Sequence, residues 1–317
     1  MPYRVPITRS THWCRADIPD QTGRTVVITG ANSGIGLETT RALLASGARV
    51  VMVCRSEAKA NAAASQLRRE QPTAELQVVV ADLADLSSVA RAAATIVAAH
   101  PTIDLLINNA GIMMVPYELT VDGYERQFAT NHLGHFAFTG HLLDAVLAAP
   151  AGRIVTVSSL AHRSAVLDLE NLLDDAGRSY QPQPAYRRSK LANLLFSYEL
   201  DRRLRAGDHT AISVAAHPGL SSTNLLAHVD GSWWGRQGVR LASRLIQGAA
   251  TGALPTLRAA TDPDVAGGTY YGPSRRAETS GPPVVVGSST QSHNAALASD
   301  LWTTSTELTG VSYSGLR

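Results

Sequence analysis

The feature that most constrains the fold of this 317-residue chain is the regular alternation of short apolar runs with helical patterns. Runs rich in β-branched residues, such as RTVVITG (24–30) and ARVVMVCR (48–55), are each followed by apolar residues at helical spacing. Strands that alternate with helices form a parallel sheet with helices on both faces. The uninterrupted runs VVMV and VVVA fit strands that are buried on both sides. We therefore predict an α/β fold with a doubly wound parallel sheet.

No linker or shift in composition divides the chain, which predicts an N-terminal arm over 1–23 and a single domain over 24–317. The segment 228–248, HVDGSWWGRQGVRLASRLIQG, breaks the alternation after the sixth predicted strand. Ligands bind outside the carboxyl ends of strands in such sheets. We interpret 220–248 as a candidate substrate lid, with an ordinary surface excursion as the alternative.

Local patterns predict the helices that follow the strands. An Ala-rich pattern indicates a helix over 57–70, and a second helix over 87–100 has Ser87 or Ser88 as a plausible N-cap. A long apolar pattern predicts a long helix over 122–149, and GGTYYGP (267–273) predicts a seventh strand.

Composition excludes several classes of function. The formal net charge is +2 and the Arg-Arg pairs are scattered, which argues against nucleic-acid binding. The N-terminus lacks the apolar core of a secretory signal, and no uncharged apolar run reaches the roughly 18 residues of a membrane span, so we expect a cytoplasmic protein. Cys14 and Cys54 have no metal-ligand spacing and predict no disulfide. His132 and His135 have helical metal spacing but no accompanying carboxylate, so we favour structural roles and expect no metal.

The first predicted strand ends in TGANSGIGLE (29–38), a glycine-rich turn that opens a helix. Residues without a β-carbon let the backbone approach a pyrophosphate, and the helix N-terminus offers free N–H groups and a favourable dipole. This placement predicts dinucleotide binding. The predicted contacts from the turn are Gly30, Asn32, Ser33, Gly34, Ile35 and Gly36.

The end of the second predicted strand indicates which dinucleotide is bound. NAD sites place an acidic residue there to hold the ribose hydroxyls. Here the position is Arg55, whose guanidinium can bind a 2′-phosphate and stack on adenine. This favours NADP(H) over NAD(H), although Arg55 could simply begin the next helix. Asp82, with Leu83 beside it, follows the third strand and could contact adenine, serve as a cap or turn residue, or both.

The stretch PAYRRSKLANLLF (184–196) predicts a helix that places Tyr186 and Lys190 one turn apart on the same face. Taken alone, such a pair fits a solvated helix surface better than a catalytic pair. The motifs elsewhere in the chain decide between the two interpretations.

Taken together, the motifs resemble those of short-chain dehydrogenases/reductases, and most closely those of retinol dehydrogenases and WW-domain oxidoreductases. The resemblance covers roughly 24–273 and rests on segments in the family's order: TGANSGIG (29–36), NNAG (108–111), TNHLGHF (130–136), VSS (157–159), YRRSK (186–190) and HPG (217–219). It implies a Rossmann-like sheet of about seven strands and hydride transfer between a nicotinamide cofactor and a carbonyl/alcohol pair.

The resemblance also implies roles for individual residues. The catalytic tetrad it implies is Asn131, Ser159, Tyr186 and Lys190, with Ser159 taken in preference to its neighbour Ser158. The implied cofactor contacts beyond the glycine turn are Asn109, Ala110, Gly111, Tyr186, Lys190, Pro218, Gly219 and Thr223. Family members often pair through the two long helices, so a homodimer or homotetramer is expected.

In such a tetrad, the Lys190 ammonium would lower the pKa of Tyr186, Ser159 would hydrogen-bond the carbonyl oxygen, and Asn131 would order a water near a helix kink. His162 and His217 could touch substrate, but loop packing is the simpler interpretation. The chain shows no N-terminal anchor of the kind found in many retinol dehydrogenases, which argues against a membrane-bound retinoid role.

The substrate is expected to be a lipophilic carbonyl or alcohol. This expectation rests on the apolar side chains near the proposed lid and after the fourth strand: Met113, Met114, Tyr117, Leu225, Leu226, Trp233 and Trp234. Two alternatives stay open. One is a catalytically idle NADP(H)-binding regulator, against which the complete tetrad argues, and the other is an NAD-linked alcohol dehydrogenase, against which Arg55 argues.

Overall fold

The computed structural model describes residues 12–172, 177–220 and 248–316, and these form an eight-stranded sheet. The strand order is β3-β2-β1-β4-β5-β6-β7-β8, in which the first seven strands pair in parallel and β8 is antiparallel to β7. The strands are β1 Thr25–Thr29, β2 Arg49–Cys54, β3 Leu76–Val80, β4 Leu105–Asn108, β5 Arg153–Val157, β6 Ile212–Ala216, β7 Tyr270–Arg275 and β8 Ser280–Val285. The predicted α/β class and parallel sheet are confirmed.

The helices of the described residues connect these strands and follow the last one. They are α1 Gly34–Ala45, α2 Glu57–Glu70, α3 Leu86–Ala99, α4 Arg126–Phe128, α5 Gly134–Leu147, α6 Pro182–Ala206, α7 Ala249–Gly252, α8 Leu254–Thr261 and α9 Ala295–Thr309. Between α4 and α5 lies a π-helical turn, Ala129–Leu133.

The helices divide between the two faces of the sheet. On one face, α1, α2 and α8 pack in a core that includes Leu43, Leu67 and Leu257. On the other face, α3, α5, α6 and α9 pack around Phe136 and Phe196. The strand order reverses between β1 and β4, so their carboxyl ends open a crevice at a topological switch point.

Three local expectations differ from the structure. The N-cap of α3 is Asp85, whose Oδ1 accepts from the Ser88 backbone N–H at 3.0 Å, so the choice of Ser87 or Ser88 was wrong. The helix expected over 122–149 begins at Arg126 and is interrupted by the π-helical turn. The edge strand β8 was not predicted, because Pro282 and Pro283 depress strand propensity and are tolerated at a sheet edge.

The C-terminal helix α9 packs against the rest of the domain through a cluster of aromatic side chains. Trp302 is 7% exposed, and its ring centroid lies 5.2 Å from that of Phe136 and 4.5 Å from that of Tyr313. The Arg203 guanidinium lies 4.4 Å from the Trp302 ring centroid. Since α9 packs along α6 and touches α5, the chain's own helix covers part of the surface expected to pair with a second copy. The oligomeric state stays a prediction.

The Trp302→Ala variant should lose about 3 to 5 kcal/mol of unfolding free energy, because it removes a large buried ring and leaves a cavity. Urea unfolding followed by circular dichroism measures the loss. The control is Val121→Ala at an 83% exposed site, where the change should stay below about 0.5 kcal/mol. Equal effects of the two substitutions would show that α9 contributes little to the core.

Candidate active site

The glycine-rich turn after β1 has the backbone conformation that its sequence predicts. Gly30 and Gly34 have φ values of +66° and +54°, a region that other residues rarely adopt. Gly36 packs against the turn so closely that a β-carbon there would lie 2.2 Å from the Gly30 carbonyl oxygen. The N-terminus of α1 therefore opens directly onto the crevice, where its free N–H groups suit an anionic group.

The crevice is a cleft of about 360 Å³ that brings most of the predicted cofactor residues together. The predicted residues on its walls are Gly30, Asn32, Ser33, Gly34, Ile35, Gly36, Arg55, Asp82, Leu83, Asn109, Ala110, Gly111, Tyr186, Lys190 and Pro218. Gly219 is next to Pro218 in sequence but is not among the residues that line the cleft. Thr223 and nearly all of the candidate lid, with Leu225, Leu226, Trp233 and Trp234, lie outside the described residues.

The floor of the cleft is held by the Thr29 hydroxyl. It accepts hydrogen bonds from the backbone N–H groups of Asn109, at 2.9 Å, and Ala110, at 3.0 Å, and it lies 2.8 Å from His135 Nε2. Burial lowers the pKa of His135 to about 4, so the ring is neutral. Its Nδ1–H donates to the Asn131 carbonyl oxygen at 3.0 Å, which leaves Nε2 to accept from Thr29. His135 thus joins the end of β1 to the π-helical turn, a link that the sequence analysis did not foresee.

After β2, Arg55 is exposed, lines the cleft and lies two residues before α2. It precedes the N-cap Ser56, so it does not begin the helix. Asp82 also lines the cleft while its Oδ1 accepts from the Ala84 backbone N–H at 2.9 Å. Asp82 is therefore a turn residue whose position also faces the cleft.

Tyr186 and Lys190 lie on the same buried face of α6, with Lys190 Nζ 5.8 Å from the Tyr186 ring centroid. Lys190 Nζ donates to the Val157 carbonyl oxygen at 3.1 Å. The Ser158 hydroxyl donates to the Lys190 carbonyl oxygen at 2.7 Å, whereas Ser159 Oγ accepts from the Ala161 backbone N–H at 3.2 Å. Of the two serines, Ser158 lines the cleft, while Ser159 is the one whose hydrogen bonding lowers the pKa of Tyr186.

The pKa of Tyr186 differs from the expectation. Burial raises it, and the hydrogen bond from Ser159 opposes this rise. Burial also lowers the pKa of Lys190 to about 8. Because desolvation of the buried phenol is the largest effect, the net pKa of Tyr186 lies above its ordinary value and not below it.

Asn131 lies in the π-helical turn, the kind of interruption at which helices commonly kink. Its Oδ1 accepts from the Ile112 backbone N–H at 2.8 Å, and its Nδ2 donates to the Ile112 carbonyl oxygen and to Ser189 Oγ, each at 2.9 Å. The side chain thus ties the loop after β4 to α6, and its role in ordering a water stays a prediction.

The part of the cleft wall formed by the loop after β4 is apolar. Its walls there include Ile112, Met113 and Val115. Met114 and Tyr117, which we expected beside Met113, are not on these walls. Met114 has φ +53° and a 42% exposed side chain, so the chain turns it outward.

The sequence analysis also missed Gln127, a fully buried side chain that fixes this wall. Its Oε1 accepts from the Met114 backbone N–H at 2.8 Å, and its Nε2 donates to Tyr180 Oη at 2.7 Å and to the Pro182 carbonyl oxygen at 3.0 Å. Gln127 thereby joins the loop after β4 to the start of α6. A single glutamine in a helical pattern carries no sequence signal for such a role.

His132, His135, His162 and His217 all hydrogen-bond protein groups. Among the described residues, no group of three or more His, Cys, Asp or Glu side chains could hold a metal ion. None of the helices in the described ranges is both long and apolar enough to cross a membrane.

Comparison with known proteins identifies the family. A family model described as short chain dehydrogenase matches residues 24–169. Mouse retinol dehydrogenase 14 is 41% identical over 269 residues, which are 81% of this chain and 79% of that protein. The chain belongs to the short-chain dehydrogenase/reductase family. Human retinol dehydrogenase 12 is 36% identical over 302 residues, covering 94% of this chain and 90% of that protein.

Solved structures agree with this family assignment. An uncharacterised protein from Mycobacterium paratuberculosis superposes with a TM-score of 0.79 at 43% identity, over 96% of this chain and 99% of that one. A Shigella flexneri short chain dehydrogenase complexed with NADP has the same fold, with a TM-score of 0.62 at 22% identity over 79% of this chain and 97% of that one. The protein is therefore an NAD(P)-dependent oxidoreductase of the retinol dehydrogenase group, acting on an alcohol or carbonyl substrate.

Lys190→Met should raise the free energy of unfolding at pH 7 by roughly 1 to 3 kcal/mol, because it removes a buried ammonium group. The Val157 carbonyl oxygen keeps a hydrogen-bond donor in the variant, since Asn193 Nδ2 still donates to it. Below pH 8 the lysine is protonated in both the folded and the unfolded state. Between about pH 8 and 10.5 only the unfolded lysine holds its proton, so the wild type gains stability as the pH rises. The difference between variant and wild type should therefore shrink across that window.

Urea unfolding at several pH values measures this difference. Lys59→Met, at an exposed lysine of α2, is the matched control and should show neither the gain nor the pH dependence. A Lys190→Met variant less stable than the wild type at pH 7 would contradict the argument.

Proposed function

We propose that this enzyme transfers hydride between NADP(H) and the carbonyl/alcohol pair of a lipophilic small molecule. The position of Arg55 supports the preference for NADP(H). Arg55 lines the cleft directly after β2, where an NAD site would have an acidic side chain. Its guanidinium can pair with a 2′-phosphate there. The cleft offers the required cradle in the α1 N-terminus and the glycine turn.

The bound nicotinamide would supply or accept the hydride at the substrate carbon. In the reductive direction, Tyr186 gives its Oη proton to the carbonyl oxygen as that oxygen gains charge. The raised pKa of Tyr186 keeps the phenol protonated at neutral pH, and Lys190 beside its ring stabilises the phenolate left after transfer. Ser159, whose hydrogen bonding lowers the pKa of Tyr186, would hold the same oxygen. The Asn131 side chain would hold the loop after β4 in a fixed position relative to α6.

The substrate class is supported by the apolar wall of Ile112, Met113 and Val115. The charged residues that line the described part of the cleft are Arg55, Asp82 and Lys190, and Lys190 is buried and donates to the Val157 carbonyl oxygen. Relatives named retinol dehydrogenases act, by their names, on a lipophilic alcohol. A large apolar aldehyde or ketone fits these surroundings better than a small charged acid.

Arg55→Asp should raise the dissociation constant for NADPH about 10- to 100-fold, because a charge-assisted contact to the 2′-phosphate is lost and a repulsive charge replaces it. Fluorescence titration with NADPH and NADH measures both constants, and binding of NADH should stay unchanged or improve. Arg69→Asp, at an exposed site near the end of α2, makes the same charge change away from the cleft and should bind NADPH as the wild type does. A wild type that prefers NADH would refute the Arg55 argument.

Tyr186→Phe should lower turnover by about 10²- to 10⁴-fold while leaving NADPH binding intact, because only the proton donor is removed. The assay follows NADPH absorbance with a panel of aliphatic and aromatic aldehydes. Tyr124→Phe removes a hydroxyl that bonds the Leu308 carbonyl oxygen, far from the cleft, and should keep its turnover. Normal turnover by the Tyr186 variant would exclude the tyrosine as the acid.

A further inference from the structure

The tip of the β7–β8 hairpin has an unfavourable backbone. Arg276, Ala277 and Glu278 have φ values of 50°, 51° and 64°, so three consecutive residues other than glycine adopt the left-handed conformation. Such conformations persist only where surrounding contacts fix them. The contacts that fix this tip lead to two loops of the active site.

The Glu278 carboxylate uses its two oxygens on different loops. Oε1 accepts from Arg163 Nη2 at 2.6 Å, and Arg163 lies in the short helix that follows Ser159. Oε2 accepts from His217 Nε2 at 3.2 Å, and His217 is followed by Pro218, which lines the cleft. One side chain thus bridges the loop after β5 and the loop after β6.

His217 is suited to this contact. It is fully buried, and burial lowers its pKa to about 3, so the ring is neutral. Its Nδ1 accepts from the Gly219 backbone N–H at 3.2 Å, which places the ring proton on Nε2, facing Glu278. A β-carbon on Gly272 of β7 would lie 2.0 Å from Nε2, so this ring position requires glycine at 272.

The backbone adds a second link at the loop after β6. The Leu220 N–H donates to the Thr279 carbonyl oxygen at 3.0 Å. Gly219 has φ +68°, and a β-carbon there would lie 2.6 Å from the same oxygen. The hairpin therefore holds the turn at Pro218 by side chain and backbone together.

A third link lies beyond β8 and reaches Ser159 itself. The Ser289 N–H donates to His162 Nε2 at 3.1 Å, so the ring proton is on Nδ1, which donates to the Ser159 carbonyl oxygen at 2.6 Å. Arg163 also donates to the Gly287 carbonyl oxygen at 3.3 Å. Both ends of β8 are thus bonded to the loop that carries Ser159.

We propose that Glu278 is a positioning residue that, through Arg163 and His217, sets the spacing between Ser159 and Pro218 at the nicotinamide end of the cleft. This role rests on the proposed function. The Glu278 carboxylate touches no reacting atom, so it acts only on geometry. It holds the loop that carries Ser159 and the loop that carries Pro218 at a fixed separation. A displacement of about 1 Å at such a site can cost about 100-fold in rate.

The test compares Glu278→Gln and Glu278→Ala with the wild type in the full chain. With NADPH and nonanal as the probe substrate, kcat should fall about 10- to 100-fold, while the dissociation constant for NADPH changes by less than about three-fold, because the glycine turn and Arg55 still hold the other end. Hydrogen exchange should rise at the backbone amides of 158–164 and 217–220. Glu75→Gln, which breaks the exposed Arg49–Glu75 pair on the far side of the sheet, should change none of these values.

Each outcome decides the proposal. An unchanged kcat would overturn the positioning role. A loss of NADPH affinity as large as the loss of kcat would also overturn it, because equal losses indicate a general loss of structure. Unchanged exchange at both loops would overturn the bridge itself, and this readout needs no turnover. A wild type that binds neither NADPH nor NADH would refute the proposed function and with it the catalytic role of Glu278, while exchange would still show whether the hairpin holds the two loops.

Discussion

The active-site end of the sheet depends on one buried hydroxyl, that of Thr29. It accepts two backbone N–H groups from the end of β4 and lies beside His135 Nε2. Parallel strands meet at their carboxyl ends without a hairpin to join them, so the backbone groups beyond the last ladder bonds need other partners. Thr29 supplies them for β4, and His135 extends the link to the turn that holds Asn131. The glycine turn, the floor of the cleft and the helix kink are therefore parts of one hydrogen-bonded unit.

Burial determines the electrostatics of this site more than pairing does. Tyr186 and Lys190 lie in a low-dielectric wall, where the neutral form of each is favoured: the tyrosine pKa rises and the lysine pKa falls to about 8. Such a site is costly to fold, since Lys190 donates to a single carbonyl oxygen in the described structure. Active sites commonly sacrifice stability in this way to hold groups whose protonation is poised for reaction.

The region after β6 completes the site although it carries little of the dinucleotide motif. The family model ends at residue 169, whereas α9 covers α6 and the β7–β8 hairpin reaches back to the loops after β5 and β6. Its bonds are made by single side chains such as Glu278 and by backbone groups at Thr279 and Ser289. The contacts that hold this part of the molecule are thus spread along the chain and not gathered in one compact sequence motif.

The sequence by itself determined the features whose physics is local. Periodicity predicted the parallel sheet, the glycine turn predicted the cradle, and helical spacing placed Tyr186 and Lys190 on one face, because each depends on residues close in sequence. The α3 cap was missed because Asp85 and the two serines all suit an N-cap, and the hairpin strand was missed because its prolines are tolerated only at an edge.

Only the tertiary structure decided in which direction burial shifts the pKa of Tyr186 and which distant groups hold the site. Gln127, His135 and Glu278 owe their roles to partners on other elements, with sequence separations up to 115 residues between Arg163 and Glu278. Desolvation and long-range hydrogen bonds depend on what packs around a group, and that environment exists only once the chain has folded.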